Sequence, residues 1–325
     1  MKFSIPYNGS APDDFISRFL PYEDQIHSFY FGLPGVFISH SHKKLSAEWL
    51  LETTQNTNEF IKACKGRFNT ILCINSTFYP DHKESLMLKL ARELPVLIDH
   101  GLSAINIASP SVAMIIHTLF PTLEIQTSCN TFGFLNGIHK YWHEEFGTTV
   151  FNLPREAMRT PWLLDKFKET GFTSKCIVND GCLYCCPSQV EHTCADEVTS
   201  KRTFLMFCKR PNAKLEDIFK TNFIPPHRLG EFEGRLDIAK LAGRWRTTDS
   251  IEFAFKAYLN KDRNAKLFDV FHGCLMDNLK NKGVVIYAKD WPKKTLTCES
   301  KECNTCDICE KAMEHIIKRS QNKKE

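Results

Sequence analysis

Thr70-Ile71-Leu72-Cys73-Ile74-Asn75, Ala104-Ile105-Asn106-Ile107-Ala108 and Leu123-Glu124-Ile125-Gln126-Thr127 are three short apolar runs spaced by longer stretches of helical character. Residues 82–100, with Leu86, Leu88, Leu90 and Leu94, fill the first gap, and Ser111 to Leu119, opened by Ser109-Pro110, fill the second. Strands apolar on both faces and separated by helices are the pattern of a parallel sheet covered on the outside. The same rhythm runs in both directions. Upstream, Ser28 to Gly32 reads as a strand and 45–65 as a helix built on Leu45, Trp49, Leu50, Phe60 and Ile61. Downstream come a helix over 132–146, a strand at Thr149 to Asn152, a helix from Pro161 to Thr170 and a strand at Lys175 to Asn179. A further strand at Asp237 to Leu241 and a helix over 248–259 come after a cysteine-rich insertion.

That many βα units predict an α/β fold of the closed (β/α) TIM-type barrel, with some irregularity, rather than an open doubly wound sheet. Neither glycine-rich nucleotide fingerprint, GxGxxG or GxxxxGK[ST], occurs. The barrel is expected over residues 1–262, and a helical, cysteine-rich, metal-binding extension over 263–325, with helices at 264–281 and Glu310 to Lys318. Active sites of such barrels gather at the C-terminal ends of the strands. Asn75, Ser109, Thr127 to Asn130, Arg155, Asn179 to Cys182 and Gly243-Arg244 all come just after predicted strands and are expected at one mouth.

The 325 residues are 42% hydrophobic and 25% charged, with a net charge of +4, which excludes disorder as the main state and gives no electrostatic case for nucleic acid. No apolar run nears the roughly 18–20 residues of a spanning helix, and the start, Met1-Lys2-Phe3-Ser4-Ile5-Pro6 with Asp13 and Asp14 beyond, has no leader-like stretch. A cytoplasmic protein without a membrane partner is expected. Fourteen cysteines then read as metal ligands or reactive thiols more readily than as disulfides. Ten of them fall in two groups: Cys176, Cys182, Cys185, Cys186, Cys194 and Cys208, then Cys298, Cys303, Cys306 and Cys309.

Cys182-Leu183-Tyr184-Cys185-Cys186-Pro187 puts several thiolates on one loop, with His192 and Cys194 close behind, and thiolates favour iron–sulfur clusters and zinc. The competing reading is a set of reduced core cysteines. Cys298-x4-Cys303-x2-Cys306-x2-Cys309 can wrap one zinc ion or one cluster. Cys64, Cys73 and Cys274 read as core residues, and Cys129 is open to either reading. His40-Ser41-His42 and His139-x3-His143 are weaker metal candidates. His143-Glu144-Glu145-Phe146 lacks the second histidine of a zinc protease, and no G-x-S-x-G elbow occurs. Arg155, Arg159, Arg228, Arg244 and Arg246 are candidate anion contacts, with surface salt bridges the expectation for Arg159 and Arg246.

Several segments, in order, resemble the collagenase-like peptidase family, family thirty-two of the unclassified peptidases. They are Glu124 to Asn130, Phe151-Asn152-Leu153-Pro154-Arg155-Glu156, Val178-Asn179-Asp180-Gly181-Cys182 with Cys186-Pro187 and His192, and Ala239-Lys240-Leu241-Ala242-Gly243-Arg244. The resemblance spans roughly residues 28–310. It implies a (β/α) barrel with a 4Fe-4S cluster on four cysteines, and oxygen-independent hydroxylation of RNA bases or of ubiquinone precursors, with the peptidase name inherited. By position Cys182, Cys186 and Cys208 match three cluster ligands. The fourth is usually just before the late Lys-Ile-x-Gly-Arg signature, where Pro225 to Gly230 has no cysteine. Cys194, Cys185, Cys176 or a C-terminal cysteine would supply it, or the site stays open to substrate. Cys298, Cys303, Cys306 and Cys309 resemble the tail of one branch and would hold a second cluster, with zinc as the alternative. On this reading Asn179, Arg155 and Arg244 are the catalytic candidates, and Arg155, Arg244, Asn75 and Gln126 the substrate contacts. The implied partners are an RNA or small-molecule substrate, an electron donor and a paralogous subunit. Peptidase activity and a non-catalytic partner role are the alternative functions.

Overall fold

The computed structural model describes residues 1–33, 46–76, 83–131, 137–189, 213–273, 275–276, 282–296, 298, 302–303 and 305–321. Eight parallel strands close into a barrel in sequence order. They are β1 (Lys2–Pro6), β2 (Ile26–Phe31), β3 (Asn69–Ile74), β4 (Ala104–Ile107), β5 (Glu124–Thr127), β6 (Val150–Asn152), β7 (Thr173–Ile177) and β8 (Ile238–Lys240). The TIM-type barrel is therefore the fold. β8 closes onto β1 through Lys2↔Ile238, Phe3↔Ala239 and Ser4↔Lys240. Around the barrel run α1 (Pro12–Phe19), α2 (Ala47–Cys64), α3 (Lys83–His100), α4 (Pro110–Leu119), α5 (Ile138–Phe146), α6 (Pro161–Lys168) and α7 (Thr248–Leu259). Among the described residues no helix is long and apolar enough to cross a membrane.

The main core lies outside the strands. Phe29 and Phe31 of β2, Leu72 and Ile74 of β3, and Ile105 and Ile107 of β4 face the helices there. Phe15, Phe19, Phe60 and Phe255 meet Phe29 and Phe3 as an edge-to-face array with centroids 5.3–5.7 Å apart. Such pairs add about 0.5–1.5 kcal/mol each beyond the area they bury.

The inside is different. Tyr30, Ile71, Cys73 and Ala104 form a small separate apolar cluster. Val150, Ile177 and Ile238 share the inward face by alternation, and polar groups make up much of the rest. Ser4 Oγ lies 2.9 Å from Ser28 Oγ, Asn106 and Asn152 donate to the Thr127 carbonyl at 2.8 and 2.6 Å, and Lys175 Nζ donates to Gln126 Oε1 at 2.6 Å. This polarity explains why β1 has no signature in the sequence: its inward residue is Ser4, so the strand never reads as an apolar run.

One expected element is corrected. The helix expected over 264–281 is interrupted: among the described residues α8 (Leu267–Val270) and Leu275-Met276 are helical, and 271–273 between them are not. After α8 the chain runs extended beside the end of β7. His272 N donates to Asn179 O at 2.9 Å and Gly181 N to His272 O at 2.7 Å. Those main-chain bonds replace the helical ones, and two glycines permit the approach: a Cβ on Gly273 would stand 2.8 Å from the Gly181 Cα. The helix expected over 132–146 is seen as α5 from Ile138, with 132–136 outside the described residues.

The C-terminal residues pack onto the same core. α9 (Lys293–Leu296) and α10 (Ile308–Gln321) bury Leu296, Met313 and Ile316 in it. Arg319 clasps the buried Asp290 carboxylate with two bonds of 2.5 and 2.6 Å.

Burial, reinforced by the neighbouring Lys240 ammonium, pushes the Lys175 amine down to about 7. The unfolded chain then holds a proton that the folded one lacks between about pH 7 and about pH 10, so stability rises with pH across that window. Lys175→Met removes this dependence. Its melting temperature relative to wild type should be most favourable below about pH 7 and should lose ground steadily toward about pH 10. A gap that does not change with pH would mean that Lys175 stays charged inside the barrel.

Candidate functional site

The mouth is built from the residues just past the end of each strand. After β7, Asn179 is buried, and its amide is fully engaged by main chain. Nδ2 donates to Ala242 O and Val270 O at 3.0 and 3.2 Å, and Oδ1 accepts from Ala242 N at 2.6 Å. Asn179 thus ties β7 to the chain leaving β8, and this is the place the structure gives to a residue expected to be catalytic. The next residue, Asp180, turns inward. Its Oδ1 accepts from the Cys182 amide at 3.1 Å, and its Oδ2 stands 2.5 Å from Arg155 Nε, an ion contact not aligned as a hydrogen bond.

Arg155 comes from the other side, on the 3-10 turn Arg155–Arg159 just beyond β6. Its Nη1 donates to Asn130 Oδ1 at 2.9 Å, and Asn130 Nδ2 donates to Asn75 O at 3.2 Å. With its amide turned to suit its neighbours, Gln189 accepts from Arg155 Nη1 at 2.8 Å and donates to Glu156 Oε1 at 3.2 Å. Burial works against the Arg155 charge, but Cys129, Asp180, Cys182 and Glu156 around it hold its pKa above the ordinary value. The charged guanidinium is fixed between the ends of β5, β6 and β7.

The thiols of the central block sit against this pair. Burial pushes Cys182 well up, Asp180 adds to the effect and Arg155 opposes it. Burial raises Cys186 as well, with Arg155 again opposing. Cys185 is exposed at a left-handed turn, φ 51°, which reverses the chain between its neighbours. Cys194, Cys208 and His192 lie outside the described residues, as do His40, His42 and Cys274. Cys129 lies just past β5 and is buried, with Sγ 3.6 Å from Asn130 Oδ1. Cys176 packs in the core outside the strands, and Cys64 packs there too. Among the described residues no three His, Cys, Asp or Glu side chains converge closely enough to hold a metal ion.

The tail thiols have a different setting. Cys298, Cys306 and Cys309 are half-buried and Cys303 is exposed. Cys298, Cys309 and Cys303 all lie within charge range of Arg159, and Cys303 and Cys309 within that of Lys220. Arg159 is not the surface residue expected. It is buried, donates to Thr221 O at 3.2 Å and Thr295 O at 2.5 Å, and lies over the Tyr184 ring with 5.4 Å to the centroid. Arg246 is corrected likewise: it donates to Asp269 O at 2.6 Å and to Phe271 O, pinning the segment that carries His272. Both stand where chain ends leave carbonyls unpaired, and a guanidinium's five donors suit that task. Arg228 pairs with Glu231.

Arg244 is half-buried beyond β8 and, among the described residues, makes no hydrogen bond or ion pair. It lies within charge range of the Tyr30 hydroxyl and of His272. Burial, reinforced by Arg246, Arg244 and Arg155, lowers His272 to about 4, so its ring is neutral. The exposed Trp245 ring lies over it, centroids 4.3 Å apart. Asn75 Oδ1 is buried without a partner among the described residues. Gln126 is not at the mouth. It bridges Lys175 and Glu124 within the barrel, because an inward residue one pleat below the strand end points across the lumen. Sequence reasoning placed Asn130 and Asp180 at the mouth without giving them a role, and it missed Gln189 and Tyr30 as site residues. The Asn-Asp-Gly turn after β7 was the available signal for Asp180. Gln189 and Tyr30 carry none.

No protein-family model matches the chain. It is 27% identical over 163 residues to the Uncharacterized protease MJ1657 of Methanocaldococcus jannaschii, 44% of this chain and 46% of the relative, so the match spans less than half the relative's length. Its fold is similar to that of the U32 peptidase Mk0906, with a TM-score of 0.50 and 13% identity over 75% of this chain and 93% of that one. The chain resembles the U32 peptidases.

Breaking a buried ion pair by removing one partner strands the other. Arg155→Met and Asp180→Asn should each cost about 3–5 kcal/mol in urea unfolding. The double variant should cost less than the sum by about 1 kcal/mol or more. Strict additivity would show that the two do not share one interaction.

Proposed function

We propose that this chain is an enzyme working at the C-terminal mouth of its barrel, where Cys182, Cys186 and Cys208 hold an iron–sulfur cluster. The proposed reaction is oxygen-independent hydroxylation, or a related redox modification, of a nucleobase or small polar molecule. One observation carries this reading: a buried, permanently charged guanidinium, Arg155, is fixed by Asp180 and Asn130 within charge range of Cys129 and Cys182. Thiols that burial keeps protonated become ligands by losing their protons, and a fixed cation beside them favours the thiolate form. When bound, the cluster would supply electron storage and an iron site for a substrate oxygen.

The protein's own groups have separable tasks in this scheme. Asp180 holds Arg155 in place, and Cys182 is oriented by the hydrogen bond its backbone N–H donates to the same carboxylate. Arg244 offers a cation without an ion-pair partner among the described residues, and Asn75 an unpartnered acceptor, for binding substrate. Cys298, Cys303, Cys306 and Cys309 would hold a second cluster or zinc, with Arg159 and Lys220 offsetting the thiolate charge.

Iron, sulfide and zinc measured after anaerobic purification test the reading, with circular dichroism as the check on folding. Cys182→Ala and Cys303→Ala should each lose a separate part of the iron. Zinc as the sole metal in wild type would overturn it.

Proteolysis is the second reading, favoured by the names of both relatives. A His–Ser hydrogen bond exists, His27 Nδ1 to Ser28 Oγ at 3.0 Å, but it lies in β2, below the mouth-side Tyr30. Casein digestion decides: the cluster reading expects no cleavage that tracks with the purified protein, whereas cleavage abolished by Cys182→Ala would establish the peptidase.

A further inference from the structure

Two lysines inside the barrel have no part in the proposed cluster chemistry. Lys175 on β7 and Lys240 on β8 are 1% and 5% exposed, and neither has a carboxylate partner among the described residues. Lys175 Nζ donates to Gln126 Oε1, whose amide in turn donates to Glu124 Oε1 at 2.8 Å, so its bonding runs toward β5. Lys240 is two residues beyond the register partner of Lys175 and is the last residue of β8, at the mouth end. Its Nζ lies 4.2 Å from the Tyr30 ring centroid and 3.5 Å from Asn152 Oδ1. That leaves an ammonium with one long hydrogen bond and an aromatic face.

Taking one ammonium out of water costs several kcal/mol, and a like charge alongside adds to the cost. Barrel interiors are normally filled with Val, Ile and Leu. Breaches of that rule that a fold tolerates tend to mark working sites. The surroundings of Tyr30 agree. Its hydroxyl, donated to Leu241 O at 2.5 Å, stands within charge range of Arg244, and its ring stands beneath Lys240. Asp180, an acid within charge range of the Tyr30 hydroxyl, is already engaged by Arg155. Two cations therefore converge on Tyr30 with no free carboxylate between them among the described residues.

We propose that Lys240 is a substrate-binding residue that, with Arg244 as second cation over the Tyr30 floor, holds an anionic oxygen group, carboxylate or phosphoryl, of the molecule entering the barrel. This deepens the proposed function by naming the substrate class. It rests on that function only in taking the mouth as the working end, and it needs no iron.

Thermal melts of the purified full chain in inorganic phosphate or in acetate, at ionic strength held constant with sodium chloride, test it. Wild type should show a saturable rise in midpoint. Lys240→Met should raise the half-saturating concentration at least about tenfold, Lys240→Arg should keep it within about threefold, and the surface control Lys62→Met should not change it. A stronger response to phosphate assigns the phosphoryl class, and a stronger response to acetate the carboxylate class. Should Lys240→Met not fold, Lys240→Gln, which can still donate to Asn152, carries the comparison. No saturable response to either anion in wild type, or a Lys240 variant that titrates like wild type, overturns the proposal. Iron measured in the same samples keeps the two readings apart: iron lost in Cys182→Ala with the anion response intact supports both, and an anion response in a protein without iron supports this one alone.

Discussion

The mouth of this barrel is held by one buried amide. Asn179 gives both faces of its side chain to the main chain, bonding Ala242 twice and Val270 once, so three segments meet at a residue with no freedom left. Everything at the site is counted from that knot. The next residue is Asp180, which fixes Arg155. The next but two is Cys182, whose amide returns to Asp180. Behind the knot, the extended segment 271–273 is laid against 179–181 by two main-chain bonds and by two glycines packed Cα to ring and Cα to Cα. A side chain on Gly181 would meet the Phe271 ring at 2.3 Å, so the thiol loop can take this path only with glycine there.

The distribution of polarity depends on where stability is made. The aromatic array between strands and helices supplies the apolar burial, with Phe15, Phe19, Phe29 and Phe60 all sealed from solvent. This releases the lumen from being the chief source of cohesion. Inside, carbonyl and amide groups that would be costly alone are satisfied across the barrel, as when Thr127 O accepts from both Asn106 and Asn152. Two lysines can then persist where aliphatic residues are usual, at a cost the outer core offsets.

The same division decides what the sequence could disclose. β3, β4 and β5 were legible because their outward residues are Ile and Leu and their inward ones include Ile71, Cys73 and Ala104. β1 was not, since Ser4 faces inward and Lys2 is exposed. The helix expected over 264–281 contains the apolar residues Leu267, Val270 and Phe271. Leu267 and Val270 are buried on the short helix α8, while Phe271 to Gly273 follow as an extended segment whose hydrogen bonds go to another strand end. Arg155 was legible as a residue after a strand. That it pairs with Asp180 and meets Asn130 and Gln189 was not, because a polar side chain in a turn carries no mark of which distant group it meets. Arg159 and Arg246 were misjudged for the matching reason: an arginine serving backbone carbonyls looks, in sequence, like one serving solvent.

The turn Arg155–Arg159 makes the arrangement more than a set of neighbours. It is a single short 3-10 segment, yet its first residue stands among Asp180, Cys129 and Cys182, and its last among Cys298, Cys303 and Cys309. Tyr184, two residues past Cys182, lies under the Arg159 guanidinium, so the central loop and the tail thiols both bear on this one residue. Rigid placement is supplied at both ends, by the carboxylate and Asn130 at Arg155 and by the Thr221 and Thr295 carbonyls at Arg159. A fixed cation lowers the cost of gathering several thiolates, since each added negative charge is met by one that cannot be lost by deprotonation. Two such cations on one turn put both thiol groups under the same local geometry. A shift of that turn would disturb both groups together, whereas loss of one thiol would disturb only its own.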